Sequence, residues 1–115
     1  MVYLASPYSD PSPVIRAQRY QDVRYLTAYL TKQGHVIYSP IVHFHSVAEQ
    51  FSMPTDFDFW QRINFAMIDR ADALWVHCQM NWVNSKGVAA EIEYAKSLGL
   101  PVSGIRHNNF ETFPL

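Results

Sequence analysis

The sequence predicts a single α/β domain built on a parallel sheet, and three observations carry that reading. Short apolar runs (MVYLA, HVIYS, ALWVHC and PVSGI) alternate with stretches whose apolar residues recur at helical spacing. Strands that alternate with helices lie parallel and are joined by right-handed crossovers. The chain has 115 residues, enough for one modest core.

The first strand is read over Met1 to Ala5. The following SPYSDPSP segment is a loop, since its prolines and serines cannot sustain a helix. Ser12 caps a long helix with Pro13 at its first position. Ala17, Tyr20, Val23, Leu26 and Leu30 form its apolar stripe, and Gly34 stops it in the left-handed conformation. His35 to Ser39 is the second strand, ended by Pro40. Ile41 to Thr55 reads as irregular, with at most a helical turn around Val47 to Gln50. Thr55 or Asp56 caps a helix that runs to Arg70. Ala73 to Cys78 is the third strand, apolar enough to be central. Gln79 to Asn84 is a loop, Lys86 to Leu98 a helix stopped by Gly99, and Pro101 to Ile105 the fourth strand. The chain ends soon afterwards, so a fifth strand is expected to be absent or minimal.

Composition narrows the function classes. The formal net charge of −1 offers no broad basic surface, so a nucleic-acid polymer is not an expected partner, although a small nucleotide needs only a few local donors. The single cysteine, Cys78, permits no internal disulfide and reads as a small buried hydrophobe. No apolar run approaches a membrane span and no signal peptide precedes the first strand, so a cytoplasmic protein without a membrane partner is expected. Aromatic residues make up 15% of the chain, which suits a small core, an oligomer interface or a base-stacking pocket.

In a sheet of order 2-1-3-4, ligands bind beyond the carboxyl ends of strands one and three, where the order reverses. The loops that converge there begin at Ser6, Pro40, Gln79 and, further out, Arg106. The loop Ser6-Pro7-Tyr8-Ser9 lacks the glycines of a dinucleotide fingerprint or a P-loop, which argues against those two activities. SKGVAAEIEYA, from Ser85 to Ala95, is the most informative stretch. Ser85 and Gly87 open a helix whose first amides can bind an anion. Val88, Ile92 and Ala95 mark its apolar stripe. Glu91 is then either an inward carboxylate able to act as a nucleophile or a residue on the solvated side of an ordinary amphipathic helix. Tyr3 is either core or a hydroxyl that hydrogen-bonds that carboxylate and holds it ionised.

His43 and His45, if extended, project to one side about 6.5–7 Å apart. They could hold a sugar or phosphate, or serve only the loop. With Asp56 or Asp58 they could form a metal site, but no CxxC or HExxH accompanies them and no metal or other cofactor is expected. Asp56 and Asp58 also suit the helix N-terminus electrostatically. Asp69 lies at the other end of that helix, and Asp72 closes a turn before the third strand. Trp60 and Trp75 read as core, while Trp82, in the loop before Ser85, is the aromatic expected to touch a ligand or a partner subunit.

Taken together, YLASPYS, SPIVHFHS, DFDFW, Asp72 before a central strand and Ser85-x-Gly87-x-x-x-Glu91 resemble the nucleoside 2-deoxyribosyltransferase superfamily, which includes the 2′-deoxynucleoside 5′-monophosphate N-glycosidases. The likeness covers nearly the whole chain and is strongest to short bacterial and phage proteins of no assigned function within it. It implies a flavodoxin-like three-layer sandwich and a retaining double displacement in which Glu91 attacks the anomeric carbon. Tyr3 would orient Glu91, Ser85 and the Gly87 amide would hold the 5′ end, and Ser6 with Pro7 would line the sugar pocket. One of His43 and His45 would match the family's histidine near the substrate.

The resemblance also exposes a departure. Relatives usually carry an aspartate on the second long helix, where this chain has Asn64, which can hydrogen-bond a base or sugar but cannot donate a carboxylic proton. The expectation is then that Asp58 or Asp69 protonates the leaving base, or that the substrate needs less acid help. Ser85, where the transferases tend to carry an acid, points to the phosphate-binding hydrolases. Relatives complete their pocket with a neighbour's residues, so a homo-oligomer is expected, with Asn108 and Asn109 as the contributing residues. Hydrolysis of a nucleoside monophosphate is favoured over base exchange. The alternatives are a nucleotide-binding module without turnover and, less favoured, a metal-dependent hydrolase using His43, His45 and Asp58.

Overall fold

The computed structural model describes residues 1–115. Its elements are β1 (Val2–Ala5), α1 (Pro13–Lys32), β2 (Ile37–Tyr38), α2 (Pro40–Gln50), α3 (Phe57–Ile68), β3 (Ala73–Cys78), a 3-10 turn (Trp82–Asn84), α4 (Lys86–Ser97), β4 (Val102–Arg106) and β5 (Thr112–Pro114). They form one sheet in the order β2-β1-β3-β4-β5. The first four strands are parallel, as expected. The fifth exists and is antiparallel, with Gly104 opposite Phe113, so the sheet is mixed rather than purely parallel. The tail turns back at once through Arg106–Phe110, and a hairpin of that length can only be antiparallel.

Side chains alternate across the sheet and build two cores. Tyr3, Ala5, Leu74 and Val76 face Ile68 of α3 and Val88 and Ala95 of α4. Leu4 and Ile105 face Val23, Leu26 and Leu30 of α1 and Ile41 of α2. Helices on both faces make this a three-layer, flavodoxin-like sandwich. The local signals act as read: Ser12 Oγ accepts from Ile15 N and Ser85 Oγ from Val88 N, while Gly34 (φ +94°) and Gly99 (φ +75°) follow helix ends in the left-handed region that a side chain disfavours. No helix is long and apolar enough to cross a membrane.

The stretch after Ser39 corrects the sequence reading. Pro40 does not merely end a strand; it occupies the first turn of α2, and Ser39 Oγ caps that helix by accepting from Val42 N at 3.2 Å. This Ser-Pro pair is the same start signal as Ser12-Pro13. Residues two apart on a helix point about 200° away from each other, so His43 and His45 cannot share a side.

Candidate active site

A cleft of about 380 Å³ opens at the carboxyl end of the sheet, where β1 gives way to β3. That volume lies within the range of small-molecule sites, and the position is the crossover crevice of a doubly wound sheet. Ser6 at the end of β1, the start of α2, the start of α3 and the start of α4 wall it. Gln79, beyond β3, ties its floor by donating to Ser6 Oγ at 2.9 Å.

Glu91 lies at the bottom of the cleft and is 4% exposed, so the inward reading of its helix position holds. The Tyr3 hydroxyl donates to its Oε2 across 88 residues of sequence. Burial pushes the Glu91 carboxyl up to about 7, while hydrogen bonding from Tyr3 and Asn64 pulls it back down. Tyr3 therefore favours the ionised form, but desolvation outweighs it. Burial and the neighbouring carboxylate raise the Tyr3 phenol well above its ordinary range, so it keeps its proton and remains the donor.

One turn before Glu91, the N-terminus of α4 borders the cleft at Ser85, Lys86 and Gly87. The first N–H groups of a helix have no acceptor within it, which suits an anion there. A Cβ at Gly87 would meet Phe57 Cδ1 at 2.9 Å, so only glycine lets α4 and α3 approach so closely. Lys86 Nζ donates to Asp58 Oδ1 at 3.0 Å at the rim, with both side chains mostly exposed.

The structure sorts the remaining predicted residues. Ser6, His45, Asp58, Asn64, Ser85 and Gly87 all line the cleft. Asn64 is 7% exposed and its Oδ1 has no hydrogen-bond partner. Pro7 is fully buried and lies outside the lining. His43 is exposed and packs beside Phe44 and Tyr38, away from the cleft. Of the two histidines only His45 reaches the cleft, and His43, His45 and Asp58 do not converge on a metal site. Asp69 is also misplaced by the sequence reading. It ends α3 at the amino edge of the sheet, opposite the cleft, and accepts from the Tyr94 hydroxyl. Trp82 packs against the core beneath α4 and lines a separate shallow cavity with Arg106 and Asn108. Asn109 is exposed, and its Oδ1 accepts from Glu111 N at 3.0 Å within the same turn.

Several cleft residues escaped the sequence reading. Trp60 is a wall rather than core: its indole N–H donates to Pro54 O at 2.8 Å and its ring lies 4.8 Å from that of Phe44. Tyr8 lines the same wall, with its hydroxyl 2.7 Å from His45 Nδ1. Had Ser39-Pro40 been read as a helix start, the helical period would have separated His45 from His43. Outside the cleft lining, His77 is fully buried; its Nδ1 lies 3.2 Å from Gln79 Nε2 and its Nε2 lies 3.0 Å from His107 Nδ1. Burial, then the second imidazole, lowers the His77 pKa to about 3, so it stays neutral.

No curated protein matches the chain. Residues 1–107 match the family described as a domain of unknown function (DUF1937), and the chain belongs to that family.

Proposed function

We propose that this protein is an N-glycosidase acting on a nucleoside 5′-monophosphate or nucleoside, with Glu91 as nucleophile. One observation carries the reading: a buried carboxylate at the floor of a nucleotide-sized cleft, held by the Tyr3 hydroxyl, one helical turn from an anion-accepting helix N-terminus. Ionised Glu91 attacks the anomeric carbon and forms a glycosyl ester; the C–N bond breaks and its electron pair leaves with the base, which takes a proton. Water then attacks the same carbon, releasing the sugar and regenerating the carboxylate. The sum is nucleotide plus water to base plus sugar 5′-phosphate. A second base in place of water gives deoxyribosyl transfer. The aromatic wall of Phe44, Phe57 and Trp60 suits the base, and the α4 N-terminus suits the phosphate. Asp58 is the proposed acid that remains in the cleft. The expected setting is cytoplasmic, with the protein acting as a homodimer or larger assembly.

Asn64 favours a second reading, a nucleotide-binding module without turnover, because an amide stands where the resembled enzymes carry an acid. Chromatographic detection of free base separates the two. Intact protein and Glu91→Ala are incubated with ribo- and deoxyribonucleosides and their 5′-monophosphates. Base released only by intact protein supports the glycosidase; nucleotide binding without release from any substrate, with acceptor bases also offered, supports the module.

A further inference from the structure

His45 is held on three sides. Its Nδ1 lies 2.7 Å from the Tyr8 hydroxyl. Its ring stacks on Tyr20, with centroids 4.1 Å apart and planes 18° from parallel. The Tyr8 ring meets it edge-on at 5.6 Å. The charged groups acting on it are Glu49 on its own helix and Arg16 of α1; burial lowers its pKa, Glu49 opposes that and Arg16 adds to it. The imidazole is therefore neutral at pH 7 and carries one proton on one of two nitrogens. The Tyr8 phenol is itself raised by burial and keeps its proton. A phenol donates best to the unprotonated nitrogen of a neutral imidazole, which leaves the imidazole proton on Nε2.

We infer that Tyr8 is a positioning residue: its hydroxyl donates to Nδ1 of His45 and holds the ring as the Nε2–H tautomer, a neutral donor to an acceptor atom of the bound ligand. His45 and Tyr8 share the cleft wall with Phe44 and Trp60, the wall suited to a base. Identifying that acceptor as a ring nitrogen or carbonyl oxygen of the departing base rests on the N-glycosidase reading. There His45 stabilises the electron pair that the base carries away without surrendering its own proton. A neutral donor fixed in place costs no reorganisation when the charge develops.

The test is long-range proton–nitrogen NMR of the imidazoles in the intact protein at pH 8. Proton on Nε2 and none on Nδ1 of His45 is expected, with Tyr8→Phe spreading the signal over both tautomers. A proton on Nδ1, making Tyr8 the acceptor, overturns the inference. Titration with purine and pyrimidine 5′-monophosphates should move the Nε2–H resonance. Saturation by a nucleotide that leaves it unmoved overturns the ligand contact, and failure of every nucleotide to bind overturns both this contact and the N-glycosidase reading. In turnover, Tyr8→Phe should lower kcat about threefold to tenfold with KM nearly unchanged, the worth of one ordinary hydrogen bond. A rise in KM alone overturns the role in the chemical step. Absence of base release, with nucleotide binding and the Nε2–H tautomer intact, removes the glycosidase and the departing-base role but leaves the Tyr8 lock standing.

Discussion

Replacing Glu91 by glutamine should disable the protein and stabilise it at the same time. The carboxyl titrates at about 7 in the fold against an ordinary 4.5, chiefly because it is buried. The folded state therefore holds this proton more tightly than the unfolded chain does. The stability linked to that proton is present in full below about pH 4.5 and is lost as pH rises through 7. Each pH unit of displacement is worth about 1.4 kcal/mol, so ionised Glu91 costs the fold about 3 kcal/mol at pH 8. Glutamine fills the same volume without charge. Its carbonyl can still accept from Tyr3. Urea unfolding at pH 8 should show Glu91→Gln more stable by about 3 kcal/mol, or roughly 10 °C in Tm. The gain should shrink toward zero by pH 5. Comparing the two proteins is necessary because buried neutral His77 tilts the pH dependence of both in the opposite sense. Base release by the variant should fall about 10³-fold or more. A variant no more stable than the parent at pH 8, or one whose advantage does not depend on pH, would refute the placement of an ionisable nucleophile in a desolvated site.

On the proposed mechanism, turnover by the intact protein should decline as pH falls through 7, because Glu91 must be ionised to attack; a rate that stays level through 7 would show that ionised Glu91 is not the nucleophile. Tyr3→Phe removes the donor that favours ionised Glu91, so the acid limb should move above 7, with a stability loss of about 1–3 kcal/mol in chemical denaturation. A limb that stays in place would mean that the Tyr3 hydroxyl does not act on the carboxylate. Gly87→Ala puts a methyl 2.9 Å from Phe57 Cδ1, so calorimetry should find nucleotide binding weakened about tenfold and unfolding eased by about 1–3 kcal/mol. Unchanged binding and stability would show that α3 yields freely.

Much of this molecule was legible before folding. Alternating runs placed β1, β3 and β4, and the strand order 2-1-3-4 put the crevice at Ser6 and Gln79. Caps and stops were readable because they are local: a serine hydroxyl reaching an amide three residues on, or a glycine free to take positive φ. The same locality explains the largest miss. Ser39-Pro40 is a valid helix start, but reading Pro40 only as the end of a strand hid α2, and with it the opposed directions of His43 and His45.

Tertiary structure alone decided which chemistry-bearing residues meet. Tyr3 and Glu91 stand 88 positions apart, and they touch because β1 is central and turns Tyr3 toward the face that α4 covers. Asp69 and Asn64 sit on one helix, yet only Asn64 reaches the cleft, since α3 runs from the carboxyl edge of the sheet toward its amino edge. The sequence could nominate Glu91, but its burial, and hence a carboxyl that titrates near 7, belongs to the packed domain. Propensity, capping and periodicity act over a few neighbouring residues, whereas desolvation and side-chain convergence exist only once sheet order and helix packing have closed around them.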